Sequence, residues 1–411
     1  MIYLKTIYSV LLTIYMLTSL LIPLVSFNKL IFVLLVLIYG SYILFFKKKD
    51  KFACLKITMA PVIILAIFAF GYTRGVDNAG DLALARQFLL VTSMFALVYP
   101  IEELQIDFQK IVKLAAKVYI VFFTIYVIYA INMKEFDIPS IVEGIAKLLD
   151  NGLTRAIGSI LETYCSGLMK YRAFFGGKGM QVYIGTTPFL MVFVDILFID
   201  YLRNKKISNL FWVGLSMILT LTTGSRTMLL LVPASLCILF WLSLNRKYKI
   251  WTMFIVGIAG ATAFIYLLKF STFFSMSEKS NFVKVGHILS YLEQLNVKQL
   301  LIGDGLATYY YSVNEGRELA HTEITLLDHF RYFGVICSTA IWFLMLVPKP
   351  DFTNMNWKNW RIWQMKEETV VLLLYFFFAQ TNPVLFNSFG LLSVLWYWNV
   401  WFSKGKKVEN L

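Results

Sequence analysis

Titratable side chains gather in one short stretch, residues 318–334 with the sequence "ELAHTEITLLDHFRYFG", in a chain that is otherwise strongly apolar. Two of the three histidines of the protein lie there. The titratable residues of this stretch and its leading edge are Arg317, Glu318, His321, Glu323, Asp328, His329 and Arg331. An imidazole has an ordinary pKa of about 6.5, so it can accept a proton near neutral pH. His321 is therefore the candidate catalytic base.

The spacing of these residues predicts which of them act together. Arg317 and His321 are four positions apart, so they share one face if the helix of the following span begins early. Thr325 and Asp328 continue that face. His329 falls on another side of such a helix and is assigned no chemistry. The alternative for His321 is a loop histidine without a catalytic role.

Two further arginines, Arg172 and Arg226, are candidates for binding an anion. Arg172 begins "RAFFGG", whose glycines allow an unusual turn and the close approach of a ligand. Arg226 lies in "LTTGSRTMLLLVP", between two apolar spans, on the side where cationic residues are scarce. Because a guanidinium fork suits phosphate oxygens, both are predicted anion-binding residues together with Arg317. The alternatives are a loop arginine that reaches lipid headgroups for Arg172 and an interfacial anchor for Arg226.

The other charged residues of the same connections are weaker candidates. Carboxylates at a membrane edge often pair with neighbouring arginines, and loop cations are often simply solvated. This second rank contains Glu323, Asp328 and Arg155, and with them Asp304, Arg331 and Lys178.

Composition decides which elements must position these residues. The chain of 411 residues is 59% hydrophobic and 15% charged, with a mean hydropathy of +0.69, which predicts an all-α, polytopic membrane protein. Continuous rather than alternating apolar runs exclude an outer-membrane barrel. The net charge of +14 is typical of cytoplasmic loops, so no nucleic-acid partner is expected. The four cysteines show neither close pairing nor ligand-like spacing, and no metal or cofactor is expected.

Apolar runs of about 17 to 24 residues, the length that crosses a bilayer, predict about twelve transmembrane helices. These are residues 5–27, 30–46, 54–71, 83–99, 112–131, 180–199, 207–223, 228–244, 251–269, 324–347, 369–385 and 388–402. Clusters of lysine and arginine, such as those at 47–51 and 245–249, then all fall on one side of the membrane. By the positive-inside rule that side is cytoplasmic, and so are both termini.

Two connections of about fifty residues, 132–179 and 270–323, fall on the outer face of this single membrane domain, residues 1–411. Long loops on a rigid scaffold often carry function. Arg172, Arg226, Arg317 and His321 come from distant parts of the chain, yet the topology assigns all four to the outer membrane boundary. The sequence therefore predicts a site for an amphiphilic anion, with a phosphate head and a lipid tail.

Several segments resemble the O-antigen polymerase and ligase superfamily. The segment "LIGDGLATYYYSVNEGRELAHTEITLLDHFRYFGVI" is similar to its Gly-x-Gly, loop and histidine pattern before a late span, at positions Gly303, Gly305, His321, Leu326, Leu327 and Gly334. "TGSRTMLLL" resembles the family's Ser-Arg segment, "RAFFG" its periplasmic Arg-x-x-x-Gly pattern, and "TNPVLFNS" its Asn-Pro turn. The ligases usually have Asn after the histidine, whereas Thr322 and Glu323 follow it here, which favours the O-antigen polymerase (Wzy) family.

The resemblance implies a GT-C-like helical bundle and a metal-independent glycosyltransferase of the bacterial inner membrane, with its site facing the periplasm. Its substrates would be oligosaccharide repeat units linked to undecaprenyl pyrophosphate, and its other partners membrane lipids and a polysaccharide chain-length regulator. Arg172, Arg226 and Arg317 would contact the pyrophosphate. His321 would be the catalytic base or would donate a hydrogen bond to phosphate.

Three alternatives remain at this point. A ligase would move finished polymer onto lipid A-core by similar chemistry. A flippase for lipid-linked oligosaccharide would carry charges in mid-membrane, where this sequence has few, since Asp195 and Lys269 sit towards the ends of predicted spans. An interaction scaffold would leave Arg226 unexplained.

Overall fold

The structure is a computed structural model, and it describes residues 2–23, 26–47, 53–133, 140–164, 168–174, 177–245, 247–252, 279–350, 361–380 and 382–409. Helices dominate the described chain, and two short antiparallel hairpins accompany them. The helices are α1 Ile2–Leu21, α2 Phe27–Ser41, α3 Ala60–Asp77, α4 Leu82–Thr92, α5 Val98–Glu103, α6 Phe108–Met133, α7 Ser140–Leu149, α8 Gly152–Tyr164, α9 Leu190–Asn204, α10 Ile207–Thr222, α11 Arg226–Ser243, α12 Lys279–Gln294, α13 Val297–Ile302, α14 Thr325–Leu346, α15 Arg361–Gln364, α16 Lys366–Ala379 and α17 Leu391–Glu409. The strands are β1 Leu168–Phe174, β2 Gly177–Tyr183, β3 Tyr310–Ser312 and β4 Arg317–Leu319.

Seven helical segments of the described residues are long and apolar enough to cross a membrane. They are Ile2–Leu21, Phe27–Phe46, Ala60–Asp77, Leu82–Glu103, Phe108–Met133, Arg226–Ser243 and Thr325–Leu346, and α10 is a shorter apolar helix. The chain is therefore a predominantly helical, membrane-embedded protein, as composition predicts. The number of twelve spans stays a prediction, and of the ninth span, 251–269, all but the first two residues lie outside the described residues.

The start of the sixth predicted span was wrong. Residues from Gly177 to Tyr183 form β2 rather than the beginning of a helix, and α9 begins only at Leu190. Gly177 and Gly179 lie in β2, and Pro188 occupies the first turn of the helical segment, where its missing N–H costs nothing. Asp195 consequently lies inside α9 instead of near the end of a span.

The chain forms two compact units. The first contains Met1–Ser41 and Ile106–Thr262, and its centre is built on α6 and α9. Every side chain from Leu190 to Leu197 is at most 3% exposed, so this part of α9 is buried on all sides, as expected of a helix that is apolar all round. The turn before α9 is joined to the end of α1, because the Thr186 hydroxyl donates to the Leu20 carbonyl at 2.7 Å.

The second unit contains Tyr42–Gln105 and Ala263–Leu411. The first part of α17 is its most buried element, with Trp398 stacked on Phe95 at 4.9 Å and its indole N–H donating to the Met345 carbonyl at 2.9 Å. Buried Glu102 accepts a hydrogen bond from the Asn399 amide at 2.7 Å, so a carboxyl inside this unit has a partner.

The α14 helix is broken, and the segment after α13 fills the break. Gly334 has φ +70° and ψ 176°, which interrupts the helix and frees carbonyls that would accept from the next turn. The N–H groups of Asp304 and Gly305 donate to the carbonyls of Arg331 and Tyr332 at 2.7 and 3.0 Å. The Gly-x-Gly pattern noted in the sequence is thus the backbone that repairs the break in α14.

Glycines also bring α3 against this segment. The Leu306 N–H donates to the Gly71 carbonyl at 2.7 Å, and a Cβ placed on Gly75 or Gly305 would overlap the opposite backbone. Arg74 donates to the Ile302 carbonyl at 2.8 Å and extends the same seam. The segment 302–308 is thereby fixed between α3 and α14.

Candidate functional site

Arg331 is the centre of a buried polar cluster in the second unit. Its side chain is 1% exposed, and its guanidinium lies over the rings of Tyr310 and Tyr332 at 4.5 and 4.9 Å. It donates to the carbonyls of Thr308 and Ala320, the latter at 2.6 Å. These two carbonyls flank the β3–β4 hairpin, so one buried cation holds both ends of that hairpin.

Asp328 completes the cluster one turn earlier on α14. Its Oδ1 lies 3.3 Å from an Arg331 amino group, which forms a buried ion pair. Both carboxylate oxygens accept the Thr322 N–H, at 2.9 and 3.0 Å. Asp328 is 5% exposed and therefore organises the loop rather than facing a solvent-accessible ligand.

His321 sits between the two residues that this cluster binds. The carbonyl of Ala320 accepts from Arg331 and from the Tyr332 hydroxyl, and the N–H of Thr322 is held by Asp328. The imidazole itself is exposed. An exposed histidine whose backbone is anchored on both sides by buried charged groups has the preorganisation that a reacting residue needs.

The expected helical face was wrong. The α14 helix begins at Thr325, and Arg317 lies in β4, so Arg317 and His321 are not on one helix face. The β3–β4 pairing takes residues 317–319 instead, since the turn after Ser312 contains Gly316 with φ +64°. Arg317 is exposed and donates to Glu315 through Nε and Nη2 at 3.0 and 2.7 Å.

His287 on α12 is the residue that the sequence did not single out. It is 2% exposed, its Nδ1 lies 2.5 Å from the Tyr310 hydroxyl, and its Nε2 lies 3.7 Å from Glu315. With the Nε2–H tautomer, assigned from these contacts, Nδ1 accepts a hydrogen bond from the Tyr310 hydroxyl. Its position within the long connection 270–323 was the one signal available, because no spacing links it to His321.

The charges around His287 explain its titration. Burial lowers the pKa of His287; the carboxylates of Glu315 and Glu323 act against this, and the charges of His321 and Arg331 add to it. Burial also raises the pKa of Tyr310, so the phenol stays protonated and donates. A chain of contacts runs from the buried Arg331 to the surface near Arg317. Arg331 lies over the Tyr310 ring, the Tyr310 hydroxyl is hydrogen-bonded to His287, and Glu315 lies 3.7 Å from His287 Nε2.

The second-rank candidates of this unit take different positions. Glu323 is exposed and lies 3.9 Å from Lys284 of α12. Asp304 lies in the glycine segment, and burial raises the pKa of its carboxyl, against the effect of Arg331 and Arg74. His329 is 4% exposed and surrounded by rings, the nearest being Phe386 at 4.4 Å, in keeping with the absence of an assigned role.

The first unit contains the other two predicted arginines. Arg226 is the first residue of α11, after Ser225, whose hydroxyl accepts the Met228 N–H. The β1–β2 register pairs Arg172 with Gly179 and Lys170 with Gln181. A Cβ on Gly224 would lie 3.2 Å from the Gln181 side chain, so the turn before Arg226 contacts the hairpin that contains Arg172.

Two secondary residues of this unit are also placed. Arg155 of α8 donates to Asp150 through Nε and Nη2 at 2.9 and 2.6 Å, and this pairing lowers the pKa of Asp150. Lys178 lies in β2 opposite Ala173. Arg155 thus has a carboxylate partner in Asp150, as Arg317 has in Glu315.

The chemistry available at the anchored loop is proton transfer and anion binding. It offers an exposed imidazole at His321, an exposed guanidinium at Arg317 and the buried hydrogen-bonded pair of His287 and Tyr310. Across the part of the chain that the structure describes, no cluster of three or more His, Cys, Asp or Glu could hold a metal ion. Comparison with protein-family models, with curated proteins and with solved structures finds no match to this chain.

Proposed function

We propose that the protein is a polymerase that joins undecaprenyl-pyrophosphate-linked oligosaccharide repeat units into O-antigen or capsular polysaccharide at the periplasmic face of the inner membrane. The observation that supports this most is the anchored position of His321. A loop histidine without a role does not need the buried Arg331, Asp328 and Tyr332 to fix the backbone on both sides of it.

In the proposed reaction a hydroxyl oxygen of the acceptor unit forms a bond to the anomeric carbon of the donor sugar. The bond from that carbon to pyrophosphate breaks, and pyrophosphate leaves on its lipid carrier. Negative charge grows on the leaving pyrophosphate, and fixed cations stabilise it most in the transition state. Arg172, Arg226 and Arg317 are the proposed phosphate contacts. His321 accepts the acceptor hydroxyl proton, or donates a hydrogen bond to phosphate.

The test is a gel of lipopolysaccharide and lipid-linked glycan from a host with the gene deleted, complemented with wild type, His321→Ala or Arg226→Ala. We expect wild type to restore the ladder and both variants to give core plus a single repeat unit. Lys110→Ala is the control, because that cation is 84% exposed and lies in neither of the two long connections, and it should restore the ladder.

Other outcomes point elsewhere. Long polymer that stays on the lipid carrier and never reaches the core would indicate a ligase. A wild-type ladder length in His321→Ala would show that His321 is not the catalytic base. Near-normal turnover of Arg226→Lys, which keeps the charge and loses the fork, would argue against a bidentate phosphate contact.

A flippase for lipid-linked oligosaccharide is the second candidate, and one observation favours it. Asp195 is fully buried within α9, with Oδ1 bonded to the Ser235 hydroxyl at 2.6 Å and no described partner for Oδ2. Carboxyls inside membrane helices often mark transport paths. If repeat units fail to reach the outer face in the deleted host, and Asp195→Asn fails to restore them, this candidate replaces the polymerase.

A further inference from the structure

The helices α7 and α8 have an apolar face that no described part of the protein covers. Ile141, Ile145 and Leu148 repeat at helical spacing along α7 and are 76%, 54% and 86% exposed. Leu153 and Ile160 continue the apolar face on α8, at 68% and 49% exposed. The charged residues of α7, Glu143 and Lys147, lie on another side and pair with each other at 2.6 Å.

Both helices are fixed to one end of α6. The Asn132 amide donates to the Ala146 carbonyl of α7 at 2.9 Å. The Tyr129 hydroxyl donates to Glu162 of α8 at 2.8 Å, and Gly158 lets α8 approach the Tyr129 ring closely. Because α6 is long and apolar enough to cross a membrane, α7 and α8 are held at the level where it leaves the bilayer.

Neither helix can span the membrane itself. With 10 and 13 residues they are about 15 and 20 Å long, against a hydrocarbon core of about 30 Å. A short helix with an apolar face and a charged face, at the edge of the bilayer, lies in the interface plane. The exposed leucines and isoleucines then reach the acyl chains while Lys147 and Arg155 remain in the aqueous layer.

Behind α8 a cavity of about 170 Å³ opens onto this same face. It is lined by apolar side chains of α1, α6 and α8, among them Leu17, Phe122, Ile157 and Ile160. The Thr18 hydroxyl proton is already donated to the Ile14 carbonyl at 2.9 Å. Apolar space of about this size accepts a small apolar group such as benzene.

We infer that α7 and α8 lie in the membrane interface and that the cavity between α1, α6 and α8 holds a segment of an acyl chain of a bilayer phospholipid. The assignment rests on the continuity between the cavity and the exposed apolar face of α8. Ile160 lines the cavity and also belongs to the exposed apolar face, so a chain can enter from the lipid without crossing water. None of this depends on the proposed polymerase activity.

The first test places a fluorophore on either face of α7. In full-length protein with Cys54, Cys165, Cys237 and Cys337 replaced by Ser, labelled Leu148→Cys and Lys147→Cys are reconstituted in phosphatidylethanolamine–phosphatidylglycerol vesicles. A probe at 148 should be quenched by doxyl-labelled lipid and spared by iodide, and the probe at 147 should show the reverse. Quenching at 148 by iodide, or by neither quencher, would overturn the interfacial position.

The second test concerns the cavity. Protein purified in mild detergent with phosphatidylglycerol is analysed by native mass spectrometry as wild type, Ile160→Trp and Ile160→Ala. We expect Ile160→Trp, which fills the opening, to lose one retained phospholipid per chain while Ile160→Ala keeps it. Equal retention by Ile160→Trp, or retention of a polyprenyl-linked species in place of phospholipid, would overturn the assignment. Monodisperse elution of each variant separates loss of lipid from loss of fold.

Discussion

At the scale of single residues, the charged stretch around His321 separates into buried and exposed members. Arg331 and Asp328 are interior, and they bind the backbone of the hairpin and the loop, whereas Arg317, His321 and Glu323 face outward. The sequence identified the concentration of charge but not this division, because burial depends on which carbonyls the loop brings to each side chain.

Among these residues, substitution of Arg331 is expected to destabilise the folded protein most. Arg331→Met leaves Asp328 buried without its cation, a loss of about 3–5 kcal/mol in the free energy of unfolding. Arg331→Lys should recover little, because an ammonium cannot reach two carbonyls and stack on two rings. The unfolding midpoint in detergent micelles measures this, with Lys110→Met as the control, since that side chain is 84% exposed. Equal midpoints for Arg331→Met and wild type would contradict the role of the cluster.

His287 should make stability depend on pH. Burial lowers its pKa in the folded protein, so folding favours the neutral imidazole. Its contribution is complete above the ordinary pKa of about 6.5 and is lost as the pH falls from there through the lowered folded pKa. Wild type should therefore lose more thermal stability between pH 7.5 and 5 than His287→Gln.

The control for this pH effect is Lys110→Met. That side chain is 84% exposed, so removing it should leave the pH dependence in place. A His287→Gln protein with the same pH profile as wild type would show that the imidazole does not titrate differently on folding.

At the scale of elements, the break in α14 fixes the position of the candidate loop. The helix is interrupted at Gly334, and the N–H groups of Asp304 and Gly305 donate to the carbonyls that the break leaves free. On the other side, Gly71 and Gly75 of α3 contact the same segment. The glycines that the sequence analysis took as a family pattern therefore have a local structural cause. A Cβ atom at Gly303, Gly305 or Gly334 would overlap backbone atoms of the opposite segment.

Glycine substitutions test this seam. Gly334→Ala forces a side chain into φ +70°, which costs about 1–3 kcal/mol, and its Cβ would overlap the Leu301 carbonyl. Gly75→Ala would overlap the Leu306 carbonyl. Gly214→Ala, inside α10 with open space around it, should instead stabilise by roughly 0.5–1 kcal/mol. Thermal unfolding in micelles compares the three, and a tolerated Gly334→Ala would mean that the break can relax.

At the scale of the whole molecule, the chain is a helical membrane protein whose orientation is a sequence prediction. The rule of cytoplasmic positive charge puts Lys206 inside and the connection 132–179 outside. Both Lys206 and Ser159 are exposed and suit chemical labelling.

Cysteine accessibility in intact cells checks this orientation. In the cysteine-free background, Ser159→Cys should react with a membrane-impermeant maleimide from outside, and Lys206→Cys should react only after lysis. The opposite pattern would invert the topology and move His321, Arg172 and Arg226 to the cytoplasm, which would remove the proposed substrate side.

Much of the fold follows from apolar run length, because backbone groups in a bilayer must be satisfied within helices. That reasoning failed at 180–183, where the end of β2 replaces the start of a span. It also failed at Arg317, where strand pairing overrides a helical spacing of four. Short polar segments follow the contacts they make rather than their own periodicity.

By itself the sequence determined a helical membrane protein, and it predicted the polar stretch around His321 as the candidate site. Only the tertiary structure decided that the buried side chains of Arg331 and Asp328 bind the backbone of that stretch, and that His287 and Tyr310 are hydrogen-bonded beside it. It also decided that α7 and α8 have an apolar face that the described residues leave exposed. Composition reports how much apolar surface must leave water. Which buried donor meets which carbonyl is set by packing between segments far apart in the chain, and no local pattern encodes it.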